Sequence, residues 1–305
     1  MELYLNESRG RLHFKGLLGQ ANHLIVTALV GLDGVEKGLI TTVPRELHAA
    51  WSPKSPINSA RRARRLILDM VLLRAVDSID VYIRMARRLP GLVQADALRD
   101  DIDGAKRSVM GKVVALEKQY GAAEPVAFAL VLVMIAWRNK SAHEESDTKI
   151  DVRHRDVLVQ NAETIASNYR NLDVDRLLSG FDIGEPTFKE CASLISAAQR
   201  FIQALETALF RGLNTEQYLK ELIWKVPSDL DSDASQRFRK KRIKSIWGRD
   251  PSDRARAVIR HLREYGITNV HRHDGAIFPS ELISRLCELT PSEVLDWACP
   301  ERMDH

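Results

Sequence analysis

The sequence predicts an all-α protein, on two observations. Aromatic residues make up only 6% of the chain, and β-branched residues do not cluster in alternating runs. Along most of the chain the apolar residues instead recur every three or four positions, which is the period of a helix that buries one face. A hydrophobic content of 45% over 305 residues is enough for the core of one large or two modest domains.

The cysteines and the N-terminal residues favour a cytoplasmic protein. The three cysteines are far apart and form no C-x-x-C pair, which argues against a disulfide framework and a thiolate zinc site. The first fourteen residues mix acids with arginines, so no signal peptide is expected. The longest apolar run, 126–137, has 12 residues, whereas a bilayer span needs roughly 20. We expect no membrane partner, metal or cofactor.

Two helices are expected before residue 90. The first, 19–35, has an apolar face made of Leu24, Ala28, Leu32 and Val35. Three prolines within 42–58 then predict a connection over the surface. A long helix follows, from a cap at Asn58 or Ser59 to Arg88. Its apolar positions are Leu66, Met70, Leu73, Val76 and Ile83.

The clearest helical period lies at 98–120 and predicts one continuous helix capped by Gly121. The run 126–137 predicts a buried helix that Pro125 opens. More polar helices are expected at 151–169 and around 174–178. A strong apolar stripe then predicts a helix over 188–211; its members are Phe188, Cys191, Ile195, Ala198, Ile202, Leu205 and Leu209.

The composition changes after residue 212, which predicts a helical bundle at 1–212, a connecting helix and acidic linker at 213–235, and a basic, mostly helical module at 236–305. Asp250 and Pro251 should start one helix of this module, and the capping box at Thr290 another. Asp274 and Gly275 suggest a hairpin between them. Helix, hairpin and helix together suggest a winged-helix-like arrangement.

Charge is distributed unevenly along the chain. The formal net charge is +4, but residues 234–263 carry eleven Lys and Arg against two Asp, and residues 54–88 carry nine against three. The remainder is therefore acidic, and a polyanionic partner is expected. The candidate nucleic-acid-binding residues are Arg237, Arg239, Lys240, Lys241, Arg242, Lys244 and Trp247. The alternative is an ordinary solvated helix flank whose aromatic residues belong to the core.

The segment 136–146, AWRNKSAHEES, carries the candidate chemistry. Arg138 and His143 are five residues apart at the end of the apolar helix, and Asn139 follows the arginine. RNA brings its own nucleophile, the 2′-hydroxyl, so cleavage needs a proton-transfer group near neutral pKa and a cation that stabilises the phosphorane. His143 can move the proton, Arg138 can hold the non-bridging oxygens, and Asn139 can orient the phosphate.

The spacing by itself is weak support for this chemistry. Arg256 and His261 are also five residues apart and lack a comparable context. A cation and a histidine at a helix end also have a structural explanation, because they interact favourably with the carbonyl dipoles. Five residues of continuous helix rotate about 140°, so Arg138 and His143 need a helix break or a second subunit to converge. This geometry favours a composite site.

The six residues 138–143, RNKSAH, resemble the R-x4-6-H motif of HEPN domains, in which a polar residue often follows the arginine. The resemblance covers roughly residues 19–212 and implies an all-α bundle that dimerises, with two motifs facing one cleft. It implies a metal-independent endoribonuclease of toxin–antitoxin, abortive-infection or CRISPR systems, with RNA as substrate and an antitoxin or defence protein as partner. Glu144 and Glu145 stand where toxins silenced by nucleotidyltransferases have H-x-Y, so that regulation is not implied.

Acidic residues on an earlier helix assist the site in some members of this family. The candidates are Asp69, Asp77 and Asp80, which share one flank of their helix at 100° per residue. Their alternative role is a solvated face paired with neighbouring arginines.

Two other functions stay open at this point. In the first, the protein is a regulator: the bundle is a non-catalytic dimerisation scaffold, and the C-terminal module binds DNA. In the second, the chain would be a subunit that senses a nucleotide or protein trigger, with a ribonuclease that is latent until then.

Overall fold

We analysed a computed structural model, which describes residues 1–43, 46, 48, 50–121, 124–142, 148–227, 231–272 and 274–299. Within these residues, 73% are helical, so the all-α prediction is confirmed at the level of fold class. The order is β1 (Leu3–Leu5), α1 (Arg9–Glu36), α2 (Pro56–Arg87), α3 (Asp96–Gly104), α4 (Val109–Tyr120), α5 (Pro125–Ala142), α6 (Val152–Gln160), α7 (Ala162–Asn168), α8 (Val174–Ile183), α9 (Phe188–Arg211), α10 (Thr215–Trp224), α11 (Ser232–Trp247), α12 (Pro251–Glu264), β2 (Ile267–Thr268), β3 (Ala276–Phe278), α13 (Ser280–Glu288) and α14 (Pro291–Ala298).

Helix α5 is the centre of the core, as its apolar run predicts. Every residue from Ala127 to Trp137 is buried, and α5 packs against α2, α4, α6 and α9. Helix α9 begins at a capping box formed by Thr187 and Glu190, and its predicted stripe is buried apart from Phe188. No helix in the described part of the chain is both long and apolar enough to cross a bilayer. From Arg138 onward α5 is no longer fully buried, so the C-terminal end of this helix lies at the surface of the bundle.

The predicted helix at 98–120 is wrong as a single element. It is divided into α3 and α4, because the backbone of Lys106 is left-handed (φ +51°) and Ser108 caps a new helix. The Ser108 hydroxyl accepts a hydrogen bond from the Gly111 amide at 3.0 Å. The apolar residues on both sides of the break are still buried, so the predicted apolar stripe continues from α3 into α4. The predicted helix at 151–169 is likewise divided, into α6 and α7.

Helices α1 and α2 are longer than predicted and expose apolar residues. Helix α1 starts at Arg9, with Ser8 as its cap, and α2 starts at Pro56, with Ser55 as its cap. The predicted apolar face of α1 is wrong, because Leu24 is 66% exposed. Among its described residues, the buried large apolar side chains are Phe14, Leu18, Ile25 and Leu29. On α2, Val76 and Ile83 are buried as predicted, whereas the stripe of Leu66, Met70 and Leu73 is 62%, 60% and 40% exposed.

Residues from both ends of the chain form one three-stranded sheet. Strand β1 lies between β2 and β3 and is antiparallel to both, with Tyr4 opposite Thr268 and Ile277. The predicted hairpin at Asp274 and Gly275 is therefore wrong, because β2 and β3 pair with β1 and not with each other. The division at 212 and 235 stays a prediction, but residues 3–5 pack with the C-terminal segment. Helices α12 and α14 begin at the predicted capping residues.

Candidate functional site

The candidate site lies at the C-terminal end of α5, where the helix leaves the core. Trp137 is completely buried and stacks edge-on against Phe181 at 5.8 Å. The next three residues, 138–140, are half-buried, and Ser141 and Ala142 are exposed. The motif therefore starts at the boundary between core and solvent. A side chain at this boundary can be held rigidly by its neighbours and still reach a ligand.

The guanidinium of Arg138 is held from two directions. Its Nη1 donates to Oδ1 of Asn139 at 3.1 Å, and its Nη2 lies 3.7 Å from Oδ1 of Asp77 on α2. The Nε atom is buried and has no hydrogen-bond partner among the described residues. The whole side chain is 26% exposed. Arg138 is therefore positioned by Asn139 and Asp77 but keeps unused donor capacity.

Asp69 and Asp77 lie against the candidate site, whereas Asp80 does not. The hydroxyl of Ser141 donates to Oδ1 of Asp69 at 2.8 Å. Asp80 instead accepts from Lys112 on α4 at 2.7 Å and pairs with Arg84 at 3.1 Å. The prediction that all three acids belong to one site is thus wrong for Asp80. Its position on the shared flank turns it toward α4 and away from the end of α5.

His143, the predicted proton-transfer residue, lies outside the described residues, as do Glu144 and Glu145. The described part of helix α5 runs to Ala142, the residue before it. The expected convergence of Arg138 and His143 therefore stays a prediction.

Lys140 and Ser141, inside the motif, have roles that the sequence analysis missed. The Lys140 ammonium donates to the carbonyl oxygens of Phe181 and Asp182 at 2.9 and 3.1 Å and lies 4.6 Å from the ring centre of Phe181. It therefore caps the C-terminal end of α8 and fixes α5 against it. Ser141 holds Asp69. The i, i+3 spacing of Arg138 and Ser141 was the available signal, because it puts both side chains on the α2 side of α5.

Four predicted nucleic-acid-binding residues form an exposed cationic surface on α11: Arg237, Lys240, Lys241 and Lys244. None of them forms an ion pair with a described carboxylate. Phe238 on the same helix is 38% exposed. This surface has the composition expected for contacts to a phosphate backbone.

Three other candidate nucleic-acid-binding residues make contacts inside the protein instead. Trp247 is 1% exposed and donates from its indole to the carbonyl oxygen of Leu286 at 2.9 Å, so its prediction as a nucleic-acid-binding residue is wrong and it belongs to the core. Arg239 stacks 3.7 Å from the ring centre of Trp224 and donates to its carbonyl oxygen at 3.0 Å. Arg242 donates to the carbonyl oxygen of Ile223. Both arginines fix α11 to the end of α10, and desolvation lowers the pKa of each.

The described residues contain no group of three or more His, Cys, Asp or Glu side chains arranged to hold a metal ion. Comparison of the chain with protein families, with curated proteins and with solved structures finds no match.

Proposed function

We propose that the protein is a metal-independent endoribonuclease of the HEPN type, acting as a homodimer in a cytoplasmic toxin or antiviral-defence setting. The observation that carries the proposal is how the Arg138 guanidinium is positioned and exposed. A guanidinium that is 26% exposed at the surface of the bundle, and is positioned by Asn139 and Asp77 through one hydrogen of each Nη, can offer its remaining Nη hydrogens to a phosphate oxygen.

The proposed reaction needs three tasks from the chain. His143 takes the proton from the 2′-hydroxyl and returns one to the departing 5′-oxygen. Arg138 stabilises the charge that develops on the non-bridging oxygens of the phosphorane. Asn139 orients Arg138, in keeping with the 3.1 Å hydrogen bond between them. The expected products carry 2′,3′-cyclic phosphate and 5′-hydroxyl ends.

The exposed apolar stripe on α2 supports a dimer built around this site. Leu66, Met70 and Leu73 are spaced by four and three residues and therefore lie on one face of the helix, which also carries Asp77. Contiguous exposed apolar residues commonly mark a protein interface. A second copy packed on this stripe would bring its own Arg138 and His143 close to the first pair.

The basic surface of α11 supports RNA as the substrate. Its four exposed cations, Arg237, Lys240, Lys241 and Lys244, would hold the backbone of the strand and so raise its local concentration at the bundle. The role in toxicity or defence rests on the resemblance to HEPN domains.

The test is cleavage of labelled RNA in EDTA by the wild type and by Arg138→Ala, His143→Ala and Arg256→Ala variants. Arg256 is the matched control, since it belongs to the other arginine–histidine pair of the same spacing and is exposed beside Asp253. Loss of cleavage in the first two variants, with cyclic-phosphate products from the wild type and the control, would support the proposal. Cleavage that needs a divalent ion, or full activity of both variants, would exclude it.

The non-catalytic scaffold is the second candidate, favoured by the contacts that already occupy Arg138. It predicts that the wild type binds nucleic acid through α11 and leaves RNA intact. Expression of the wild type beside His143→Ala separates the two functions in cells, because only a ribonuclease predicts growth arrest and RNA loss confined to the wild type.

A further inference from the structure

A cavity of about 180 Å³ lies where the start of α1, the end of α2, the end of α10 and the residue after α12 meet. Three cations from distant parts of the chain line it: Arg9, Arg88 and Lys225. Ser8, Tyr218 and Tyr265 complete its polar lining. The cavity therefore joins the helical bundle to the C-terminal segment.

The three cations have no paired counter-ion among the described residues. None of Arg9, Arg88 and Lys225 forms an ion pair with a carboxylate among the described residues. The Arg9 guanidinium lies 4.2 Å from the ring centre of Tyr265 and donates to the carbonyl oxygen of Glu264 at 2.5 Å, so it is fixed in place while its charge stays unneutralised. Desolvation, followed by the charges of Arg9, Arg242 and Arg88, lowers the pKa of Lys225. The cavity therefore offers an anion three positive charges that no described carboxylate pairs with.

Tyr218 adds a hydrogen-bond donor without a partner. Its side chain is only 6% exposed and lines the cavity, and its hydroxyl makes no hydrogen bond to any described residue. A tyrosine hydroxyl that lines a cavity without a protein partner is free to donate to a ligand there. Burial raises the pKa of Tyr218, which therefore stays protonated and able to donate.

The first turn of α1 contributes a partial positive charge to the same place. Arg9 and Gly10, the first two residues of this 28-residue helix, line the cavity. The Ser8 hydroxyl accepts from the Arg11 amide, so it caps that amide and leaves the amides of Arg9 and Gly10 without an intrahelical acceptor. At this end Glu206 already accepts from the Ser8 amide at 3.2 Å, and the amides of Arg9 and Gly10 are left to donate to a bound anion.

We propose that this junction cavity is a binding site for the phosphate groups of a small phosphorylated molecule. Arginine and lysine provide the charge and the geometry that phosphate oxygens accept, and the Tyr218 hydroxyl provides a neutral donor. Pockets for drug-sized ligands usually enclose about 300–1,000 Å³, so this one takes one or two phosphate groups while the rest of the ligand extends toward solvent.

The junction cavity is separate from the candidate ribonuclease site. Arg88 follows Asp77, the partner of Arg138, by eleven residues along α2 and its cap, which corresponds to about 16 Å at 1.5 Å per residue. The inference therefore does not depend on the proposed function. Because the lining comes from both the bundle and Tyr265, a bound anion would also strengthen the contact between them.

The test is isothermal titration calorimetry of the full chain with pyrophosphate and with ADP, for the wild type and three variants. The first variant combines Arg88→Gln and Lys225→Gln. The second combines Lys118→Gln and Lys189→Gln, which removes the same charge from exposed positions away from the cavity. The third is Arg138→Ala.

We expect one site per chain in the wild type, in the charge-matched control and in Arg138→Ala. The Arg88/Lys225 variant should bind about tenfold more weakly or worse, as expected for the loss of charge-assisted hydrogen bonds. Circular dichroism of each variant checks that it is folded, and Tyr218→Phe, which removes only the free hydroxyl, should weaken binding by itself. The proposal is overturned if neither probe binds, if the control weakens equally, or if binding is lost in Arg138→Ala.

Discussion

Nη2 of Arg138 lies 3.7 Å from Oδ1 of Asp77, which connects the end of the buried helix α5 to the middle of α2. One turn later on α5, Ser141 makes the second such connection, to Asp69. Both carboxylates belong to the flank of α2 next to its exposed apolar stripe. The position of the candidate catalytic cation is therefore set by the helix that we propose as the dimer interface.

If Asp77 positions Arg138, the fold losses in cleavage rate caused by substituting each residue should not multiply in the double variant. Arg138→Ala should reduce the rate by about 10²–10³, the range for removal of one transition-state donor. Asp77→Ala should reduce it by about tenfold, and the double variant should match Arg138→Ala alone, because Asp77 acts through the guanidinium. Single-turnover cleavage of one RNA substrate measures all three. Multiplicative losses would show that Asp77 has a role of its own.

Asp80 should affect stability and not cleavage. Lys112 is 9% exposed, and Asp80→Ala leaves its ammonium without its 2.7 Å partner. We expect the free energy of unfolding to fall by about 2 kcal/mol, less than for a fully buried pair. Urea denaturation measures the loss, with the exposed Asp100→Ala as a control that should change it by under about 0.5 kcal/mol. A cleavage defect in folded Asp80→Ala would show that Asp80 contributes to the site after all.

The exposed lysines of α11 should control the salt dependence of RNA binding. Lys240→Glu and Lys241→Glu should weaken binding, and the slope of log K against log salt should become shallower by about 0.7 for each lost contact to single-stranded RNA. Trp247→Phe should lower stability through the lost indole hydrogen bond and leave the slope unchanged. Fluorescence anisotropy at several salt concentrations measures the slopes. Equal slopes for all of these proteins would mean that α11 does not bind the backbone.

Glu206 should make stability depend on pH. It is completely buried, accepts hydrogen bonds from the hydroxyl and amide of Ser8 and from the hydroxyl of Tyr82, and lies 3.6 Å from Arg11. Desolvation raises its pKa above the ordinary 4.5, although the bonds from Ser8 oppose the shift. The folded state therefore keeps the proton to higher pH than the unfolded state does. The stability that this proton provides is complete below pH 4.5 and is lost as pH rises through the folded pKa.

The free energy of unfolding of the wild type minus that of Glu206→Gln should accordingly decrease as pH is raised from 4.5. Urea denaturation of both proteins over a pH series measures this difference. The exposed Glu163→Gln serves as the control and should give a difference that stays flat. A flat difference for Glu206→Gln as well would contradict the raised pKa.

The helix boundaries that were predicted correctly depend on local chemistry. Thr290 with Glu293 starts α14 through a capping box, and Pro251 starts α12 because its ring fixes a helical φ and it has no amide hydrogen to satisfy. The buried helix α5 was predictable because an apolar run of its length has only the core to occupy. These signals need no knowledge of the rest of the chain.

The incorrect predictions depend on contacts distant in sequence. The periodicity at 98–120 continues across the break at Lys106, so nothing in the apolar pattern reveals it. Leu24 fits a helical stripe, but the direction of the core around α1 is set by α2 and α9. At the site, the shared helix flank predicts a role for both Asp77 and Asp80. Only the ion pair between Asp80 and Lys112 shows that Asp80 lies elsewhere. The cations of the junction cavity come from positions 9, 88 and 225, and no local pattern relates them.

Strand β1 also has a consequence for the order of folding. Asn6 and Val270, which are hydrogen-bonded beside this strand, are 264 residues apart, and Leu3 and Leu5 are completely buried. During synthesis these leucines emerge long before β2 and β3 exist, so they stay without their final neighbours until the C-terminal segment is made. Arg9 follows the same strand and reaches Tyr265 only at that stage. The junction cavity can thus form only after residue 265 has left the ribosome.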